Sequence, residues 1–167
     1  ELEDGKVAQM GIFLPGRLGM DEDENILSMI ITGDYSGYVL FFFAGGKCAK
    51  IPLSSYATKL NRRKLLKAYC DKEPLARMIF LPEDTELAIR TSASRMLLVH
   101  SSQIAAKATR DSQGVSVVTL KKNQTIASVV PAETLELANP HRYRVRSLPA
   151  TGTLIRAEDE GEQMSLL

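Results

Sequence analysis

Short apolar runs separated by turn residues dominate most of the chain. Ile26–Ile31 is apolar and rich in β-branched residues apart from Ser28. Gly33-Asp34-Tyr35-Ser36-Gly37 interrupts it, Tyr38–Phe43 follows, and Gly45-Gly46 then separates that run from Cys48–Leu53. This order predicts strand, turn, strand, Gly-Gly hairpin, strand. Pro52 lacks a backbone donor and marks a strand end or an edge. Further strands are expected at Ala76–Leu81, Glu86–Thr91, Arg95–His100, Val115–Leu120 and Thr125–Val130. Strands at about ten-residue spacing point to a sandwich, barrel or propeller rather than to alternating strands and helices.

The pattern echoes itself. Gly11-Ile12-Phe13-Leu14, a glycine with an apolar strand, precedes a polar loop and Asn25–Ile30. Gly114–Val118 precedes another polar loop and Thr125–Val130, and both second strands carry a serine between apolar residues. Between them, Ile26–Leu53 and Glu86–Lys107 repeat strand, turn, strand in the same order. Repetition on this scale is the mark of a blade array. Lys59–Tyr69 lacks alternation and reads as a short helical turn or an exposed loop.

Composition is that of a globular chain, with 44% hydrophobic and 25% charged residues among 167. The longest purely apolar run, Val39–Ala44, is far short of the ~20 residues a membrane helix needs, and the acidic N-terminus lacks a signal-peptide pattern. Cys48 and Cys70 fall in no motif and are expected as free, reduced, partly buried thiols. His100 and His141 lie apart from both, so no metal site is expected.

Charge changes the picture more. The net charge is only +1, yet residues 35–70 carry seven bases and no acid. The stretches 35–70, 95–131 and 132–156 together hold sixteen bases and three acids, while acids gather at the two ends. Such segregation suits a polyanion, because each phosphate neutralised releases condensed counterions. A merely solvated charged surface fits composition alone equally well.

Several spaced segments resemble the C-terminal domain of bacterial type IIA topoisomerase A subunits. Tyr35–Phe43, Gly45-Gly46-Lys47 and Ile51–Tyr56 look like one of its blades. Thr109-Arg110-Asp111-Ser112-Gln113-Gly114-Val115 is similar to the family's Thr-Gln-Gly-Val strand entry, and Asn139–Arg144 resembles the tail of the topoisomerase IV branch. The resemblance covers about residues 10–131. It implies an all-β chain, an incomplete ring of β-pinwheel blades, each a four-stranded antiparallel sheet. On that reading, 1–24 ends a preceding blade and 25–83 is a blade with a basic loop at 59–69. Residues 84–132 form a second blade, 133–156 a closing segment or partial blade, and 157–167 an acidic disordered tail.

The implied function is non-catalytic binding and bending of duplex DNA along a basic rim during ATP-dependent strand passage, in decatenation or relaxation. Implied partners are duplex DNA, the rest of the A subunit and the ATPase B subunit, in a cytoplasmic, nucleoid-associated setting without membrane contact. ATP and Mg²⁺ would belong to the parent enzyme elsewhere, with no cofactor in this fragment. Gyrase A subunits carry a Gln-Arg-Arg-Gly-Gly-Lys-Gly box. Here Asn61-Arg62-Arg63-Lys64-Leu65-Leu66-Lys67 keeps the arginines and loses the glycines that permit close backbone approach. That favours phosphate contact without tight wrapping, with a gyrase-type wrapping domain as the alternative.

The residues expected to contact DNA are Lys59, Arg62, Arg63, Lys64 and Lys67 in the basic loop, Lys107 and Arg110 before a strand, Lys121 and Lys122 in a hairpin-like loop, and the alternating Arg142, Arg144 and Arg146. Phe41–Phe43 is read as core rather than as a base-stacking platform. Tyr56 and Tyr69 are read as anchors of the basic loop, and His100 as a strand-end residue. No nucleophile–base set, paired carboxylates or phosphate loop supports an independent enzyme. A propeller-like module for an acidic protein partner remains the other reading.

Overall fold

A computed structural model describes residues 6, 10–58, 65 and 67–160. A one-turn helix, α1 (Leu14–Leu18), precedes eight strands: β1 (Tyr38–Phe43), β2 (Lys47–Pro52), β3 (Leu75–Leu81), β4 (Glu86–Thr91), β5 (Arg95–His100), β6 (Val115–Ser116), β7 (Ile126–Pro131) and β8 (Thr153–Leu154). They form two antiparallel four-stranded sheets, ordered β3-β1-β2-β6 and β7-β4-β5-β8.

Each sheet is built around one hairpin, β1–β2 in the first and β4–β5 in the second. The residue pairs Phe41–Ala49 and Ile89–Leu97 occupy the same register, so the second hairpin repeats the first at an offset of about 48 residues, the scale of a blade repeat. The outer strands β3 and β7 pair with β1 and β4, and each shows a register shift at its hairpin's last position. The fourth strand of each sheet comes from farther along the chain. β6, which follows the second hairpin in the chain, pairs back with β2, and β8, which follows β7, pairs back with β5. The sheets are thereby laced together by main-chain hydrogen bonds as well as by packing.

Both hairpins are apolar on both faces because both faces are covered. Leu40, Phe42 and Cys48 of the first sheet meet Leu87, Ile89, Leu97 and Val99 of the second in a shared core. Val39, Phe41 and Phe43 turn to the opposite face of the first sheet, under Ile30, Tyr35, Tyr56 and Tyr69. Ala88, Met96 and Leu98 occupy the far face of the second sheet, under Tyr143, Leu135, Leu137 and Ile155. Phe42 and Phe43 are at most 1% exposed and Phe41 3%, which fixes the aromatic run as core.

The all-β expectation holds, and the strands foreseen at 86–91 and 95–100 appear with those bounds. Four expectations are corrected. Ile26–Ile31 is not a strand; Ile26, Leu27, Met29 and Ile31 are exposed, because no strand lies alongside to accept the segment's hydrogen bonds. The apolar strand expected to begin at Gly11-Ile12-Phe13-Leu14 is absent too, with Leu14 and Pro15 opening α1 instead. The strand expected at Val115–Leu120 shrinks to Val115–Ser116, after which the amides of Val117 and Val118 both donate to Gly46 O at 2.9 Å. Finally, residues 157–160 of the expected disordered tail are folded against the chain, while residues 161–167 lie outside the described residues. Ala157–Asp159 forms a 3-10 turn, and Asp159 is 2% exposed. Cys48 and Cys70 are free, and both are buried rather than partly so.

Candidate nucleic-acid interface

Lys107 and the Arg142–Arg146 segment sit on connectors that run beside equivalent positions of the two blades. The Lys107 amide donates to Lys50 O at 2.8 Å, and the Val145 amide donates to Leu98 O at 3.1 Å. Parallel bridges join Lys50 to Ala106 and Leu98 to Arg144. Lys50 and Leu98 occupy the same place in their hairpins. Lys107 therefore stands at one blade edge where Val145, flanked by Arg144 and Arg146, stands at the next. The alternation of Arg142, Arg144 and Arg146 with buried Tyr143 and half-buried Val145 points the arginines away from the core.

Arg110 lies farther along the first of these connectors. Its Nη1 donates to Ser55 O at 3.3 Å. The neighbouring Tyr56 hydroxyl donates to Ala68 O at 2.7 Å; burial pushes this hydroxyl up to about 12, against the opposing charge of Arg110. Tyr69 stacks on Phe41 with ring centroids 5.5 Å apart. The two tyrosines thus pin the chain leaving the basic loop, as expected of them. Exposed Lys67 lines a shallow depression with Lys72, Tyr69 and Asp111, so Lys67 and the Arg110–Asp111 turn share one edge. The structure places Lys67 there, whereas Lys59, Arg62, Arg63 and Lys64 lie outside the described residues. Lys121 and Lys122 are exposed in a turn closed by the Lys121 amide donating to Gln124 Oε1 at 3.0 Å.

Not every base in the positive stretches is available. Lys50 is 3% exposed; its ammonium meets Asp84 and Ser101 O and lies 4.2 Å above the Tyr38 ring. Lys47 pairs with Glu73 at 2.7 Å. Arg144 makes a two-pronged contact with Glu86, Nε to Oε1 at 2.7 Å and Nη2 to Oε2 at 3.1 Å. Donation of hydrogen bonds to the Glu86 carboxylate, reinforced by its charge, raises the Arg144 guanidinium above its ordinary range. These pairings join residues distant in sequence, so no local pattern signals them. Lys72 gives no signal of its own because it sits in a segment of mixed charge. His100 ends β5 as expected, its Nδ1 2.7 Å from Ser102 Oγ. Among the described residues no group of three or more His, Cys, Asp or Glu side chains could hold a metal ion, and no helix is long and apolar enough to cross a membrane.

No protein-family model matches the chain, and no curated protein matches it. Solved structures do. The C-terminal domain of DNA topoisomerase IV superposes with a TM-score of 0.67 at 21% identity, over 93% of this chain and 53% of that one. The chain shares the fold of that domain. The E. coli ParC C-terminal domain gives a TM-score of 0.64 at 13% identity, over 90% of this chain and 68% of that domain. The DNA gyrase A C-terminal domain gives 0.52 at 17%, over 71% and 43% respectively. This chain therefore spans about half of the topoisomerase IV domain it matches.

Proposed function

We propose that this chain is a non-catalytic duplex-DNA-binding module of a type IIA topoisomerase A subunit. The observation that carries the reading is the placement of Lys107 and of Arg146 on connectors at equivalent edges of two blades that share the fold of topoisomerase C-terminal domains. A repeated edge that presents a base at each blade follows a repeated backbone of phosphates, and such contacts position DNA without reading its sequence. On this reading Lys67, Arg110, Lys121, Lys122 and Arg142 add further phosphate contacts, and Lys59, Arg62, Arg63 and Lys64, outside the described residues, are expected to do the same. Bending follows if duplex DNA keeps contact from one blade to the next, and the parent enzyme would use the bend during ATP-dependent strand passage. The rest of the A subunit and the ATPase B subunit would supply cleavage, ATP and Mg²⁺.

A topoisomerase IV-type parent is favoured over gyrase by Lys64, Leu65 and Lys67, which stand where the gyrase box has glycine. The test is the topology of nicked plasmid closed by ligase in the presence of the chain. Binding with a small linking-number shift is the expected result. A large shift would restore the gyrase-type wrapping reading, and absence of binding to duplex DNA at low salt would overturn the DNA-binding role.

A further inference from the structure

Lys50 stands apart from the proposed DNA edge, yet that edge is mounted on it. Its side chain is buried, and its ammonium meets the Asp84 carboxylate and the Ser101 carbonyl, the latter at 3.2 Å. Both partners belong to one hydrogen-bonded unit at the open end of the second hairpin. The Ser101 amide donates to Thr85 O at 2.9 Å, the Thr85 amide donates to Ser101 Oγ at 3.1 Å, and Ser101 Oγ donates to Asp84. Lys50 joins that unit to β2 of the first hairpin.

Lys50 also holds the far end of the connector that starts at Ser101. The Ile104 amide turns back to Ser101 O at 3.1 Å, Ala106 bridges to Lys50, and the Lys107 amide donates to Lys50 O at 2.8 Å. Residue 50 therefore grips residues 101–107 at the start through its ammonium and at the end through its carbonyl. The start of this connector reaches the other one as well, since Gln103 Nε2 donates to Val145 O at 3.5 Å, beside Arg146. The connector thus spans the gap between two proposed phosphate contacts, Arg146 at one blade and Lys107 at the other. Its exposed residues, Ser102, Gln103, Ala105 and Ala106, are uncharged, so none of them repels a duplex laid along it.

The second blade lacks the grip. Leu98 O accepts the Val145 amide at 3.1 Å, as Lys50 O accepts that of Lys107, but the Leu98 side chain packs in an apolar cluster. The equivalent connector is held there by main chain and packing, with no buried charge at its start.

We infer that Lys50 is a positioning residue for bound duplex DNA. By holding the connector 101–107 at both ends it fixes the path from Arg146 to Lys107, and with it the bend imposed between the two blades. The inference rests on the DNA-binding reading above and names the residue that sets its geometry. A short duplex is stiff. Against a connector gripped at both ends the duplex yields; against one gripped at a single end the connector yields instead.

The test compares the full chain with its Lys50→Leu variant on a duplex of about 40 base pairs, with a fluorophore at each end so that bending raises energy transfer. Lys50 is buried and meets no phosphate, so Lys50→Leu should bind within about threefold of the parent and keep its salt slope. The rise in transfer on binding should nevertheless fall by at least about half. Asp84→Asn, which keeps the shape and removes the charge, should lower the rise by less. A readout without DNA checks the grip itself: exchange of the Ile104 and Lys107 amides in the free chain should be at least about threefold faster in Lys50→Leu. A full rise in transfer with Lys50→Leu would overturn the inference and leave the DNA-binding reading intact, and unchanged amide exchange would overturn the grip on which it rests. Affinity lost in step with the bend would reduce Lys50 to a structural role. Absence of duplex binding by the parent chain at low salt would overturn the inference and the DNA-binding reading together.

Discussion

The two blades use one hairpin backbone and fill it differently. In the first, position 50 of β2 is a lysine buried to 3% exposure, its charge answered by Asp84 from the loop between the sheets and by Ser101 O at the end of β5. In the second, the equivalent position is Leu98, packed with Met96 and Tyr143. The first blade has a second sheet beside it and uses a polar bond to fix how that sheet sits. The second blade's far face is covered instead by the chain's own C-terminal segment. There the Tyr143 hydroxyl donates to Asp159 Oδ2 at 2.6 Å and accepts from the Arg156 amide at 3.2 Å, while the Ala138 amide donates to Asp159 Oδ1 at 2.7 Å. A blade that meets a neighbour specifies the junction with charge, and a blade covered by a segment folds that segment down with a buried tyrosine and carboxylate.

The comparison breaks most readily at the glycines of the lacing strands. Gly114→Val should cost about 4 kcal/mol, the range of severe backbone clashes. A Cβ there meets the rigid Cys48 main chain, and the positive φ of 75° disfavours any side chain. Gly152→Val should cost less, about 2 kcal/mol, because one of its nearest neighbours is the movable Leu97 Cδ1 at 2.7 Å. Urea unfolding of the two variants checks the order. Equal losses would mean that β6 and β8 lace their sheets with equal rigidity.

Next in size is the lysine junction. Asp84→Ala leaves the Lys50 ammonium buried without its carboxylate and should cost about 3 kcal/mol, whereas Lys50→Leu, the residue the second blade uses, should cost under about 1 kcal/mol. The asymmetry arises because the Asp84 side chain is 29% exposed and stays solvated, while that of Lys50 is only 4% exposed. A larger loss for Lys50→Leu than for Asp84→Ala, read by the same unfolding experiment, would contradict this account of the junction.

Acid should loosen both devices. Burial pushes Asp84 up, but hydrogen bonds from Lys50 and Ser101 outweigh it and hold the carboxyl below its ordinary range. Asp159 is lowered chiefly by the Tyr143 hydroxyl. A depressed carboxylate contributes its stability fully above the unfolded value of about 4, and that contribution is lost as pH falls through the lowered native value. Tyr143→Phe should therefore destabilise the chain at neutral pH and flatten the acid limb of stability against pH. An unchanged acid limb would show that Asp159 keeps its lowered value without the tyrosine. The smallest expected effect is at the surface. Arg146→Ala should weaken duplex binding more than Arg144→Ala, since Arg144 is already engaged by Glu86.

Much of the fold is legible in the chain. Tyr38–Pro52 and Glu86–His100 announce themselves as short runs apolar on both faces around Gly45-Gly46 and Ser92-Ala93-Ser94, because hairpin formation is local. β6 and β8 are not legible as such. Two residues carry no periodicity, and each pairs with a strand far back in the chain, as in Lys47–Ser116 and Arg95–Leu154. Ile26–Ile31 shows the opposite failure, since a strand pattern becomes a strand only when a partner lies alongside. At the candidate interface the bases can be counted from sequence, but the withdrawal of Lys50, Lys47 and Arg144 into ion pairs is tertiary and has no local sign.

The most direct test of the DNA-binding account is the salt dependence of duplex affinity. It compares the full chain with a variant carrying Lys107→Ala, Arg110→Ala, Lys121→Ala and Lys122→Ala, on a duplex of ~40 base pairs, long enough to reach past one blade edge. The plot of log Kobs against log salt should be steeply negative. The variant should bind more weakly with a slope shallower by up to about 3.6, since each phosphate left without its base takes about 0.9 from the slope. Affinity that ignores salt, or a variant that binds with the parent's slope, would contradict the claim that these connectors form the DNA-contacting edge.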